Sequence, residues 1–168
     1  MTMPTPAPSS DVQAQFLRLW AKEAPTTRKV LERIPEGSDY RPDPKSRTAR
    51  EIAWLIVREE IALVEALEKG VFEWIEVSTP STVQEILDIY DLRHEELTKR
   101  LHALEPARLE GPIPFIFEGK EAFRDTGFAT AWGVLFDLIH HRGQLSTYLR
   151  PMGSTVPAIY GPSADESM

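Results

Sequence analysis

The chain has no cysteine. Disulfides, thiolate metal sites and a cysteine nucleophile are therefore excluded, and the absence agrees with a reducing, cytoplasmic setting. No apolar run approaches the roughly 20 residues needed to span a bilayer, so no membrane partner is expected. Met1 to Ser10 is rich in proline, serine and threonine and lacks the basic and apolar regions of a signal peptide. It reads as a disordered N-terminal tail. Positive charge is scarce: 19 Lys and Arg stand against 26 Asp and Glu, for a net charge of −7, and no basic block stands out. Nucleic-acid binding requires a basic face to neutralise phosphates, so no nucleic-acid partner is expected. The sequence also lacks a G-x-S-x-G elbow, a P-loop and a G-x-G-x-x-G turn.

What is present is an ordinary globular composition. The 168 residues are 42% hydrophobic and 27% charged, enough for one domain with a sizeable core, expected over residues 11–166. Ser9-Ser10-Asp11 starts a helix in which Val12, Phe16, Leu19 and Trp20 recur at helical spacing. Pro25 is expected to kink or divide that helix, and the proline-rich stretch Pro35 to Pro44 ends it. Ser46 or Thr48 caps a second helix whose inward stripe is Ile52, Leu55, Ile56, Glu59, Leu63 and Leu67, closing at Lys69-Gly70. Val71 to Pro80 is a connector with some extended character. Ser81-Thr-Val-Gln84 resembles a capping box for a third helix through Leu101. Residues 106–124, with Phe115-Ile-Phe117-Glu-Gly119-Lys, form a small hairpin or a loop. Asp125-Thr126 caps a strongly apolar last helix, which Pro151 stops. Val156, Ile159 and Tyr160 in the tail are expected to pack over the helices. Four long amphipathic helices joined by loops predict an all-α, up-and-down four-helix bundle.

The chemistry gathers in the last helix, at Asp137-Leu-Ile-His140-His141-Arg142-Gly143-Gln144. Asp137 and His141 are four residues apart and project from one face, one turn apart. That is how a helix offers two ligands to one ion. His140 lies about 100° away around the helix and reads as a hydrogen-bonding residue at a helix interface. Arg142 reads as an ion-pair partner to a neighbouring helix, and Gln144 as a group with a partner across the bundle. Gly143 costs about 1 kcal/mol in a helix interior, which points to close helix approach. Trp54, Trp132, Phe128 and Phe136 read as core, able to line a small-molecule cavity where they reach the Asp137/His141 face. His94 and His102 stand among charged residues and read as solvated. The adjacent pairs Glu59-Glu60 and Glu95-Glu96 point to different sides of a helix and read as surface charge.

His140-His141-Arg142-Gly143-Gln144-Leu145 with Tyr148-Leu149-Arg150 resembles the signature of the DinB-like (DinB/YfiT-like) metalloprotein superfamily. Asp39-Tyr40-Arg41-Pro42 before Lys45-Ser46-Arg47-Thr48-Ala49, and Val156-Pro157-Ala-Ile159-Tyr160-Gly161, agree in matching order. The resemblance implies a helical bundle, commonly a homodimer, with a three-histidine divalent-metal site, and in some relatives a thiol-dependent transferase or hydrolase activity. Carried over by position, the second-helix ligand falls on Leu55 and the last-helix pair on Asp137 and His141. Only one of the three histidines is present. Two readings follow. In one, Leu55 fills volume, Asp137 and His141 form a hydrogen-bonded pair, and a metal-free, small-ligand-binding or stress-associated protein remains. This is the expected outcome, because a missing donor weakens a site more than a swapped one. In the other, Glu59, one turn from Leu55 on the same face, joins Asp137 and His141 to hold Ni, Zn, Mn or Fe, with Leu55, His140, Arg142, Gln144, Trp54 and Trp132 around the site.

Overall fold

The computed structural model describes residues 9–167. Five α-helices and three short strands follow one another: α1 (Ser9–Glu32), α2 (Ala49–Lys69), β1 (Phe72–Glu73), α3 (Val83–His102), α4 (Pro106–Glu110), β2 (Pro112–Phe117), β3 (Lys120–Thr126) and α5 (Gly127–Leu149), closed by a 3-10 turn at Arg150–Met152. The tail expected over residues 1–10 lies, for residues 1–8, outside the described residues. Ser9 and Ser10 belong to the first turn of α1.

Local sequence sets most of these boundaries. At the start of α2 the Thr48 hydroxyl accepts from the Glu51 N–H, and the Glu51 carboxylate accepts from the Thr48 N–H. At α3 the same reciprocal pair forms between Thr82 and Glu85, one residue beyond the Ser81…Gln84 pair read from the sequence. Thr126 caps α5 by accepting from the Ala129 N–H. Gly70 ends α2 in the left-handed conformation, at φ 79°, where a Cβ would be strained. Pro25 does not divide α1. It sits on the solvent side, so the carbonyl left free one turn earlier, at exposed Ala21, faces water.

The architecture is mostly helical, with a small three-stranded sheet beside it. α1 packs on α3 and α5, and α2 packs on the same two helices. Consecutive helices α1 and α2 thus face each other across a diagonal, whereas simple up-and-down order would make them neighbours. The long stretch from Arg33 to Thr48 permits this, since it is free to cross the end of the helices. One continuous apolar cluster fills the middle, with Phe16, Trp20, Leu31, Ile56, Leu63, Ile86, Leu97, Leu135, Leu145 and Leu149 among its members. The C-terminal segment lies against it through Val156 and Ile159, tied down by Ser154 Oγ donating to the Arg33 carbonyl at 2.6 Å.

The sheet departs from an all-α expectation. Its order is β1-β2-β3. β2 and β3 form the antiparallel hairpin, turning through Glu118 and Gly119, both at positive φ (50° and 74°). Two successive positive φ values define the tight turn whose twist matches paired strands. β1, from the connector after α2, pairs parallel to β2. The register brings Phe72 opposite Phe115 and Phe115 opposite Phe123, so one row of phenylalanines crosses all three strands. Gly127, at the joint between β3 and α5, is a true close approach. A Cβ there would collide with the Arg108 carbonyl oxygen and press on Leu109 and Leu67. Gly143 is not: a Cβ there meets open space, and the close helix contact expected at that position is absent.

Candidate functional site

A cavity of about 900 Å³ opens between the sheet and the α2/α5 face. α2 supplies Leu55 and Glu59. α5 supplies Gly133, Phe136, Asp137, His140 and His141. The sheet and its flanks supply Phe72, Trp74, Phe115, Phe117 and Phe123. Two ring contacts organise the sheet wall: Phe72 to Phe115, 5.1 Å between centroids, and Phe115 to Phe123, stacked at 4.8 Å.

The polar end of the cavity is a convergence of three side chains. One donor atom each from Glu59, Asp137 and His141 lies within 4.8 Å of the others. His141 Nδ1 is 3.0 Å from Glu59 Oε1 and 3.3 Å from Oε2. It is 3.8 Å from Asp137 Oδ1. Glu59 is buried and His141 partly so, while the Asp137 side chain is 56% exposed and looks into the open mouth. Burial pushes the Glu59 carboxyl up to about 7, against the hydrogen bond and charge of His141, which favour ionisation. Burial alone would lower His141, but its bond to Glu59 and the negative charges of Glu59 and Asp137 leave the imidazole above its ordinary value. Both groups thus bind their protons more firmly than they would in water, Glu59 through burial and His141 through its acidic neighbours.

Two carboxylates and one imidazole also suit an oxygen-preferring divalent ion better than they suit zinc. Ligand distances of about 2.0–2.2 Å place neighbouring donors roughly 3 Å apart. The Glu59–His141 separation meets that spacing and the Asp137 separation is longer. The donor set therefore fits a metal ion in type, with Asp137 the looser member. Leu55 lines the cavity one turn along α2 and contributes no donor.

The remaining residues singled out in the sequence are distributed differently. His140 stands exposed at the cavity wall, its ring edge-on to His141 at 5.4 Å, not at a helix interface. Phe136 is 61% exposed at the cavity instead of in the core. Trp132 packs among Phe16, Phe128 and Phe136, behind the cavity wall. Trp54 donates its indole N–H to the Val77 carbonyl and borders a smaller groove with Leu55. Gln144 is exposed, on the solvent side of α5 instead of across the bundle. Arg142 turns away from the cavity altogether. Fully buried, it pairs with Glu23 Oε2 at 2.7 Å, donates to Thr27 Oγ1 at 3.2 Å and meets the Tyr160 hydroxyl at 2.6 Å.

Two readings of surface charge are overturned. Glu60 is buried beside Glu59 but faces the other way, where its carboxylate lies 2.9 Å from His94 Nδ1. His94 is not solvated: it is stacked between Trp20 and Tyr90, each 5.5 Å away. The Trp20 indole donates to Thr98 Oγ1 at 3.0 Å, and Thr98 approaches His94 Nε2 at 3.4 Å. Burial raises the Glu60 carboxyl, and His94 opposes that rise. Helical spacing points Glu60 at α3, but a histidine set among charged residues gives no sign in the sequence that it is the partner. The aromatic row of the sheet was equally hidden, since it arises from a strand pairing between segments 40 residues apart.

The DinB family model matches residues 134–168. An uncharacterized protein of Bacillus subtilis strain 168, YrdA, is 27% identical over 159 residues, covering 90% of this chain and 89% of that protein. Two crystal structures share the fold at a TM-score of 0.67: the DinB-like protein YjoA of Bacillus subtilis, 21% identical over 84% of this chain and 94% of that one, and a DinB-like protein of Bacillus cereus ATCC 10987, 22% identical over 86% and 95%. The family match thus falls on the C-terminal part of the chain, including the segment of α5 that carries Asp137 and His141, and the fold along nearly the whole chain is similar to that of two DinB-like proteins.

Proposed function

We propose that the protein binds a small molecule with an apolar body in the cavity between the sheet and α2/α5, with Glu59, Asp137 and His141 as its polar anchor. The observation that carries this is the cavity itself: about 900 Å³, with a phenylalanine row on one wall and three convergent polar groups at one end. Large concave sites with an apolar lining and few polar groups are the usual form of ligand pockets. The anchor is chemically versatile. Glu59 and His141 lie within hydrogen-bond distance of each other, and the exposed Asp137 carboxylate can accept from a ligand donor. The helices act as one domain over residues 11–166, read as a four-helix bundle with the sheet as an added wall.

The test uses Gly133, which lines the cavity and has open space where a Cβ would stand. Gly133→Phe sets a ring into the cavity from a position where the added Cβ meets no neighbour. The neutral dye Nile red is expected to bind the unmodified protein saturably at one site, and Gly133→Phe to abolish that binding while keeping its helical circular dichroism. Equal binding by both proteins would reject the cavity as the site.

A second reading is favoured by the same three donors lying within 4.8 Å: they hold a divalent ion, and the protein is a metal-dependent enzyme, for example a thiol-dependent transferase or hydrolase. A bound ion would polarise a carbonyl, or acidify a water or thiol. Glu59 and His141 would hold it from the buried side, and Asp137 from the mouth. Elemental analysis of protein purified without a histidine tag decides this reading. A stoichiometric transition metal that is lost in Asp137→Ala supports it, and no stoichiometric metal removes it.

A further inference from the structure

We infer that the cavity selects an organic cation: a primary or secondary ammonium group on an aryl or alkyl body. This rests on the cavity reading above and adds the charge of the ligand. Glu59 is answered by His141 at 3.0 Å, which leaves three further carboxylates in the cavity lining, Glu76, Asp125 and Asp137, against one guanidinium, Arg47. An anionic ligand would enter against that field. A neutral ligand without a donor would strip water from Asp137 and return nothing to it, and a hydroxyl would return one uncharged hydrogen bond. An ammonium group donates to Asp137 directly, in place of the water it displaces.

The walls favour the same charge. Aromatic faces carry negative potential and attract a cation within about 6 Å. Phe72, Trp74, Phe115, Phe123 and Phe136 line the same cavity as the anchor. The protein already uses one of these rings in this manner: the Arg58 guanidinium carbon lies 5.5 Å from the Trp74 ring centroid. The Trp74 indole N–H is held by Glu76 at 3.0 Å, which fixes the ring plane. Acidic groups at the end and aromatic rings along the sides form a cage for an ammonium head and its apolar substituent.

The experiment compares three compounds with one phenyl body and three heads: 2-phenylethylamine, 2-phenylethanol and 3-phenylpropionate, titrated calorimetrically into chelator-treated protein. The amine is expected to bind about tenfold more tightly than the alcohol, in line with a cation–aromatic and carboxylate contribution of that size, and the carboxylate weakest of all. Asp137→Asn, at an exposed position that leaves the core untouched, is expected to weaken the amine more than the alcohol, so that the preference for the amine is lost. Equal binding of all three heads, or a preference for the carboxylate, overturns the inference and leaves the cavity reading standing. No binding by any of the three, with Gly133→Phe indistinguishable from the unmodified protein toward Nile red, overturns both.

Discussion

Glu59 holds a proton in the folded protein up to about pH 7, whereas in an unfolded chain it would lose it near 4.5. A carboxyl whose folded value is raised binds more protons folded than unfolded between those two values, so its contribution to stability is lost as pH rises through that window. His141 acts in the same direction: raised above 6.5, it stabilises below that value, and the effect fades as pH climbs through its folded value. Chelator-treated protein is therefore expected to lose stability steadily from pH 5 to pH 8 in urea unfolding. Glu59→Gln, which cannot titrate and no longer lifts His141, is expected to show a flatter profile. An unchanged slope would show that the pair does not hold its proton as the geometry implies. The approach of Asp137 to His141 was legible from their spacing, but the hydrogen bond expected between them goes to Glu59 instead, at 3.0 Å against 3.8 Å, a partner reachable from its position one turn beyond Leu55. The partner of Glu60 was not, because a buried carboxylate–histidine pair and two solvated charges look the same in one dimension.

At the scale of elements, the caps of α2, α3 and α5, the Gly70 stop and the hairpin turn were written in local sequence, since each depends on residues within three or four positions. The diagonal placement of α1 and α2, the one-turn helix α4 and the parallel strand β1 were not, since they depend on contacts between distant segments. The glycines show the same division. Both Gly127 and Gly143 lie in α5, yet only Gly127 meets a neighbouring backbone. Gly143→Ala is expected to stabilise the protein by about 1 kcal/mol through helix propensity. Gly127→Ala is expected to destabilise it, because the Arg108 carbonyl must move. Urea midpoints of the two variants check this, and shifts of the same sign would contradict it.

Across the whole molecule, Arg142 ties together α1, α5 and the C-terminal segment. Its guanidinium joins Glu23 and Thr27 on α1 to Tyr160 in the tail, and the Tyr160 hydroxyl closes the loop by donating to Glu23 Oε2 at 2.7 Å. Removing one member of a buried ion pair leaves the other charge unanswered, at a cost of about 3–5 kcal/mol. Arg142→Ala is expected to lower stability by that amount in denaturant titration. A loss below about 1 kcal/mol would place Glu23 in contact with water instead.

The two adjacent glutamates of α2 have a bearing on how the helices find their arrangement. Apolar faces slide and rotate against each other with little penalty, since one leucine replaces another. Glu59 and Glu60 point about 100° apart to histidines on two different helices, α5 and α3. Only one rotation of α2 about its own axis answers both carboxylates. A turn of one residue in either direction would strand a buried acid against hydrocarbon, so the pair works as a key that admits a single register of the central helix.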